Sequence, residues 1–256
     1  MSRPSSERSL ARASVYRLLS LAFSWPSPAL FDAVEPARVG ASVLSRPIRR
    51  TMEQAAAALA SRPLGELQAE HRRVFTLSAS SDCPLNECAY STKHVFQEMQ
   101  ELADIAGFYR AFGVEVRGQR PDELAAELEF CSLLSLKDAY ARERRLRKLR
   151  LASEDALRTF LHDHLGRWAE NIGRRLSVLA VGTAYERLGS LLSEFVAAEV
   201  DYLSAGPIVP HEETPRPPEP LEEEGCPTEA GPVASRVSED DMVAELMPVE
   251  MAKGRA

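Results

Sequence analysis

Four carboxylates lie close together in residues 121–130, PDELAAELEF: Asp122, Glu123, Glu127 and Glu129. Carboxylates at such spacing can act as general acid and base, bind a metal ion or receive a cationic partner, and they can also form the solvated face of a helix. Glu123 and Glu127 share a helix face, but neither is followed by a histidine three residues later, so the Glu-x-x-His pattern of di-iron bundles is absent. Glu129 lies between two apolar residues, and if it is partly buried it needs a cationic partner, either from the chain or from a ligand.

The remaining reactive residues form no recognised enzyme motif. The sequence contains no GxxxxGK[ST], GxGxxG, GxSxG or HExxH pattern. His162 and His164 are two residues apart and would point to different faces of one helix, and His164 close to Trp168 is typical of a structural histidine. A hydrolase that uses the glutamates remains an alternative, supported by the carboxylates alone.

The cysteines leave a metal site as a further alternative. Cys83 and Cys88 have His71 and His94 nearby in the sequence, but structural zinc sites usually pair their cysteines more tightly. Free thiols in a reducing cytoplasm are the simpler interpretation. We therefore expect neither a metal nor a cofactor.

The elements that must position these residues are helices. Apolar or alanine-rich patterns at helical spacing occupy residues 15–23, 52–59, 67–77, 95–112, 124–134, 157–168 and 188–196. Prolines at 26 and 28 end the first pattern, and Pro121 followed by two acids marks a helix start. Alternation typical of a strand is confined to residues 114–116. The sequence predicts an all-α fold, a single-domain helical bundle.

The C-terminal part of the chain differs in composition. Nine of the 17 prolines lie between Pro207 and Pro248, and residues 205–256 carry 12 acidic and 4 basic side chains. A segment of this kind buries too little apolar surface to offset the entropy of ordering. We expect a helical domain over residues 1–204 and a disordered acidic, proline-rich tail over residues 205–256.

Composition excludes several classes of partner. The whole chain has a net charge of -7, and because the tail carries this charge, the body is nearly neutral and lacks the basic surface of a nucleic-acid-binding protein. No run approaches the roughly 20 apolar residues of a membrane span. Arg17 interrupts the only candidate for a secretory signal, so we expect a cytoplasmic protein that does not insert into membranes.

Four segments together resemble the TorD/DmsD/NarJ family of redox-enzyme maturation chaperones. They are PLNECAY at 84–90, LADIAGFYRAFGVEV at 102–116, RPDELAAELEFCSLL at 120–134 and FLHDHLGRWAENI at 160–172. The resemblance covers residues 15–203. It implies an all-α domain of the TorD type, without catalytic turnover, that binds the twin-arginine leader or apo form of a molybdenum-containing oxidoreductase subunit of the DMSO reductase family. The chaperone would then assist cofactor insertion before export.

The chemistry of such a leader assigns the candidate site. Arginine side chains are matched best by carboxylates, and the apolar stretch that follows them needs a groove between helices. The expected peptide-binding residues are the carboxylates Glu87, Asp122, Glu123 and Glu129 and the aromatics Tyr90, Phe108, Phe112 and Trp168. The alternative for the aromatics is a place in the core, which helical spacing favours. Glu123 departs from the family pattern, which often has histidine there, and adds a negative charge that suits a basic ligand.

The acidic tail supports a second alternative. It could tether the protein to a finished enzyme, in which case the chain would be an accessory subunit that stays in the mature complex. The tail is not part of the family pattern.

Overall fold

The computed structural model describes residues 6–77, 83–91, 95–116 and 120–215. Its helices are α1 (Ser6–Phe23), α2 (Pro28–Val43), α3 (Arg46–Ala60), α4 (Leu64–Arg72), α5 (Cys88–Ser91), α6 (Val95–Ala111), α7 (Leu124–Glu143), α8 (Arg147–Asp163), α9 (Ala169–Leu179) and α10 (Ala184–Leu203). A π-helical turn, Arg73–Leu77, continues α4, and a 3-10 turn, Leu165–Arg167, joins α8 to α9. The described residues contain no strand, so the predicted all-α fold is confirmed. None of the described helices is long and apolar enough to cross a membrane.

Local sequence sets where several helices begin and end. The Ser45 side chain accepts a hydrogen bond from the Ile48 amide at 3.4 Å and caps the start of α3. Thr183 caps α10 in the same way. α10 ends at Leu203, and its C-cap residue Ser204 adopts a left-handed conformation with φ 55°. These caps replace the hydrogen-bond partners that the terminal turns of a helix lack.

The core is built around α1. This helix packs against α2 and α7, while α10 packs against α9 and α3. Arg12 of α1 and Glu199 of α10 form a buried ion pair, in which Nε lies 2.8 Å from both carboxylate oxygens. The pair ties the two helices together below the surface.

Two glycines allow α9 and α10 to approach each other closely. A Cβ atom added at Gly173 would lie 1.8 Å from the Ser193 Oγ and 2.6 Å from the Gly189 carbonyl oxygen. A larger residue at this crossing must therefore push the helices apart. The two glycines therefore set how closely α9 packs against α10.

The chain continues beyond α10 and turns back over α8 and α9. We call residues 205–213 the strap. Ala205 and His211 are buried in it, and the His211 amide donates to the Arg167 carbonyl oxygen at 2.9 Å. The boundary expected at residue 204 coincides with the end of α10, but residues 205–215 lie against the helical body. The rest of the expected tail, residues 216–256, lies outside the described residues.

Candidate peptide-binding site

A short antiparallel bridge brings two of the predicted motifs together. Asn86 pairs with Glu123. On either side, the Glu87 amide donates to the Asp122 carbonyl oxygen at 2.9 Å, and the Leu124 amide donates to the Leu85 carbonyl oxygen at 2.8 Å. The loop before α5 and the segment before α7 are therefore neighbours, as a common site for Glu87, Asp122 and Glu123 requires.

Glu87 is almost fully buried and has two histidine partners. One carboxylate oxygen lies 2.8 Å from Nε2 of His211, and the other lies 3.2 Å from Nδ1 of His164. Burial by itself would raise the pKa of Glu87, but the hydrogen bonds and charges of the two histidines outweigh it and lower that pKa. Glu87 is therefore an ionised carboxylate whose two oxygens are both engaged.

His164 reaches from this cluster towards the surface. Burial opposes its charged form, but the hydrogen bond and charge of Glu87, helped by the charges of Asp104 and Asp163, raise its pKa. Its Nε2 lies 3.2 Å from the exposed Asp104 carboxylate, although the geometry is not that of a hydrogen bond. The interpretation of His164 as a structural histidine agrees with its burial and with its Glu87 contact.

Asp122 is fully buried and is held by the chain itself. Arg120 Nε donates to one carboxylate oxygen at 2.9 Å, and the Cys88 amide donates to the other at 3.2 Å. Arg120 also contacts Glu98 of α6 at 2.6 Å. The cationic partner of Asp122 is thus an internal arginine.

Glu123 and Glu129 lie nearer to solvent. Glu123 is the N-cap residue of α7, and its carboxylate accepts a hydrogen bond from the Arg120 amide at 3.3 Å. Glu129 pairs with Arg17 of α1 at 2.8 Å, and the two side chains are 64% and 46% exposed. Of the four expected carboxylates, Glu129 is the most accessible to a ligand.

Glu127 lies between the buried acids and Trp168. The indole Nε1 donates to its Oε2 at 3.1 Å, while Oε1 has no hydrogen-bond donor among the described residues. Complete burial, and next the negative charge of Glu87, raise the Glu127 pKa well above its usual range. Because Glu87 has the two histidines, a proton held among these acids belongs on Glu127.

The four expected aromatics divide into two pairs. Trp168 and Tyr90 are buried, with ring centroids 5.8 Å apart, and the Tyr90 hydroxyl donates to the Pro84 carbonyl oxygen at 3.0 Å. Phe108 and Phe112 are half-buried and pack edge to face against Phe160 and Phe130, respectively. The first pair supports the loop that carries Glu87, and the second pair borders the surface.

A cleft opens where α6 ends and α7 begins. Its volume is about 310 Å³. It is lined by Tyr109, Val114, Glu115, Val116, Ala126, Glu129, Phe130 and Leu133. The floor is mostly apolar, and the exposed carboxylates Glu115 and Glu129 border it. The Tyr109 ring belongs to this wall, while its hydroxyl donates to the Pro121 carbonyl oxygen at 2.7 Å, next to the buried acids.

Sequence reasoning missed His211, Arg120 and the cleft residues 114–116. His211 follows the helical domain in a proline-rich stretch, and Arg120 is the first residue of the segment at 120–134 but was not assigned to the site. The motif's own charge could have indicated Arg120, because a buried aspartate needs a cation. No local signal indicates His211, which is 124 residues away from Glu87 in the chain.

The described residues contain no group of three or more histidine, cysteine or acidic side chains arranged to hold a metal ion. Cys83 and Cys88 are buried and form no disulfide within the described part of the chain. Burial, and then the negative charge of Asp122, raise the Cys88 pKa, so the thiol stays protonated. His94, the fourth member of the alternative metal site, lies outside the described residues.

Comparison with known proteins gives one family. The sequence profile of the family described as nitrate reductase delta subunit matches residues 42–173, which is more than half of the chain and includes both bridged motifs and Trp168. Curated proteins give no significant match to this sequence. The helical fold, the bridged motifs and the extent of the profile match agree, and the chain belongs to the nitrate reductase delta subunit family of NarJ/TorD-type chaperones.

Proposed function

We propose that this protein is a maturation chaperone that binds the twin-arginine leader of a molybdenum-containing oxidoreductase subunit and holds the apoenzyme until its cofactor is inserted. The family supports a role in molybdoenzyme maturation. The main observation in support of leader binding is the cleft between α6 and α7, which combines an apolar floor with an acidic rim.

The cleft suits the two chemical parts of a leader. Val114, Val116 and Leu133 offer apolar surface to the hydrophobic stretch. Glu115 and Glu129 stand at the rim, where a guanidinium could bind while it remains partly hydrated. A binding site of this type recognises the charged part of a leader peptide at one end and its apolar part at the other.

Glu129 is the carboxylate best able to exchange partners. Its ion pair with Arg17 is exposed on both sides, and exposed pairs contribute only about 0–1 kcal/mol. An incoming arginine can replace Arg17 at little cost. By contrast, Asp122 is fully buried although the Arg120 side chain is 43% exposed, and a buried carboxylate that loses its cation is costly.

Titration of a labelled synthetic leader tests this assignment. We expect Glu129→Gln to weaken binding several-fold, on the order of 1 kcal/mol, because an amide matches a guanidinium poorly. Glu143→Gln is the matched control, since Glu143 is an exposed glutamate near the far end of the same helix. Equal affinity for Glu129→Gln and wild type removes Glu129 from the site, and a similar loss in the control attributes the effect to net charge.

A cellular measurement addresses the maturation step. In a strain that lacks this protein, the client oxidoreductase should accumulate with little bound molybdenum cofactor, and the wild-type chain should restore it. Normal cofactor content in the deletion strain contradicts the proposed function.

A further inference from the structure

The strap closes over the part of the molecule that carries Glu87. Arg167 Nε donates to the Val209 carbonyl oxygen at 3.0 Å, and Arg175 donates to the Glu213 carbonyl oxygen at 3.1 Å. Asn171 Nδ2 donates to the carbonyl oxygens of both His211 and Glu212, at 3.3 and 3.1 Å. The body therefore holds the strap chiefly through the strap's backbone carbonyls.

His211 is the side chain of the strap that enters the polar interior. Its imidazole lies 2.8 Å from Glu87 and is only 3% exposed. The next amide, that of Glu212, donates to the Tyr90 carbonyl oxygen at 3.2 Å, so the strap also covers the loop that carries Glu87. With His164 on its other oxygen, Glu87 has no face left for an external cation.

An imidazole N–H and a guanidinium N–H satisfy a carboxylate oxygen in the same way. Both donate along the oxygen's lone pairs at about 2.8 Å, and a guanidinium can engage both oxygens at once. Glu87 is thus a buried, ionised receptor for a cationic side chain, and a residue of the same chain occupies it.

We propose that the strap is an internal competitor: His211 occupies the Glu87 carboxylate, and release of the strap lets a guanidinium of the incoming leader bind in its place. This inference rests on the proposed function and describes how leader binding is regulated. Client binding is coupled to opening of residues 205–213, so affinity depends on how often the strap is released.

The construction of the strap favours release without unfolding of the bundle. Val209 is 69% exposed, and Ala205 is the buried apolar side chain that anchors the segment. A segment held by peripheral hydrogen bonds, with little buried apolar surface, belongs to the low-stability end of a protein. When it leaves, Glu87 keeps the His164 contact, and the helical core is unchanged.

Asn171→Ala is the sharpest test, because it removes two of the strap's hydrogen bonds and does not touch Glu87. Loss of two ordinary hydrogen bonds raises the released population roughly tenfold, and leader affinity should rise by about the same factor while the closed form dominates. Ser177→Ala, an exposed change on the same helix, is the control and should leave affinity unchanged. If Asn171→Ala fails to fold, Arg167→Ala removes the hydrogen bond to Val209 and is the second variant.

Two measurements on the full chain separate the possible outcomes. Hydrogen exchange reports release of the strap through the amides of His211 and Glu212, and fluorescence anisotropy reports binding of a synthetic twin-arginine leader. We expect faster exchange and tighter binding in Asn171→Ala, and loss of the gain when Glu87→Gln is added.

Unchanged exchange in both strap variants, or faster exchange with unchanged affinity, overturns the strap inference and leaves the proposed function intact. A gain that persists in the presence of Glu87→Gln also overturns it. Absence of leader binding in every variant refutes the proposed function itself.

Discussion

Replacement of Glu127 by glutamine should stabilise the protein at neutral pH. The carboxyl group is completely buried beside the ionised Glu87, and both factors raise its pKa well above the usual range. The native state therefore keeps Glu127 protonated. Glutamine has the same shape, can accept the hydrogen bond from Trp168 and can donate an N–H where the acid donates its proton.

The size of the effect follows from proton linkage. A group whose pKa is raised by folding contributes its full stability below the unfolded pKa, and the contribution is lost as the pH rises towards the folded value. For an unfolded glutamate pKa of about 4.3, the loss is about 1.4 kcal/mol per pH unit while the folded carboxyl stays protonated, or roughly 4 kcal/mol by pH 7. Glu127→Gln does not suffer this loss, so its free energy of unfolding should exceed that of wild type increasingly between pH 5 and 7.

Thermal unfolding at several pH values checks this expectation. For a domain of this size, about 4 kcal/mol corresponds to a rise in Tm of roughly 8–16 °C at pH 7. The difference should shrink towards pH 4.5, and the exposed change Glu143→Gln, measured at the same pH values, is the control. A Tm difference that is constant with pH, or a glutamine variant that is less stable at pH 7, would refute the assignment of the proton to Glu127.

Two further predictions concern the framework that supports the site. Glu199→Ala leaves the Arg12 guanidinium buried without its carboxylate and should destabilise the protein by about 3–5 kcal/mol in urea unfolding. The control Glu194→Ala, at a partly exposed position on the same helix, should cost under about 1 kcal/mol. Similar values for both variants would contradict a buried ion pair. Gly173→Ala places a methyl group against α10 and should lower the free energy of unfolding by about 1–3 kcal/mol. Gly107→Ala on α6 is the control: its methyl group would meet no atom within 4 Å, so it should raise the free energy of unfolding by up to about 1 kcal/mol. An opposite order of Tm values for the two glycine variants would show that the α9–α10 crossing tolerates a larger separation.

The helices were predictable where apolar spacing and start signals agreed. The pattern at 124–134 identified α7, and the acids after Pro121 marked its beginning, although the helix starts at Leu124 because residues before it pair with Asn86. α2 was missed because its prolines suggest a break. Pro28 occupies the first turn, where no amide hydrogen bond is required, and Pro36 is exposed within the helix.

Only part of the candidate site could be predicted. Charged residues can be identified directly in the sequence, whereas their burial depends on packing between distant segments. The motifs grouped Glu87 with Asp122, and the structure places their two segments side by side through the bridge. The sequence does not show that Asp122 is buried and therefore needs Arg120, and nothing in it indicates that His211 fills the place beside Glu87. Such partners follow from packing between distant parts of the chain, and a proline-rich composition gave the strap no recognisable pattern.

Calorimetric titration of the wild-type protein with a twin-arginine leader tests the central claim most directly. We expect binding with a Kd of micromolar order. Binding should be at least about tenfold weaker when both arginines are replaced by lysine, because lysine cannot form the paired hydrogen bonds of a guanidinium with a carboxylate. Equal affinity for the two peptides, or no heat of binding for the arginine peptide, would contradict it.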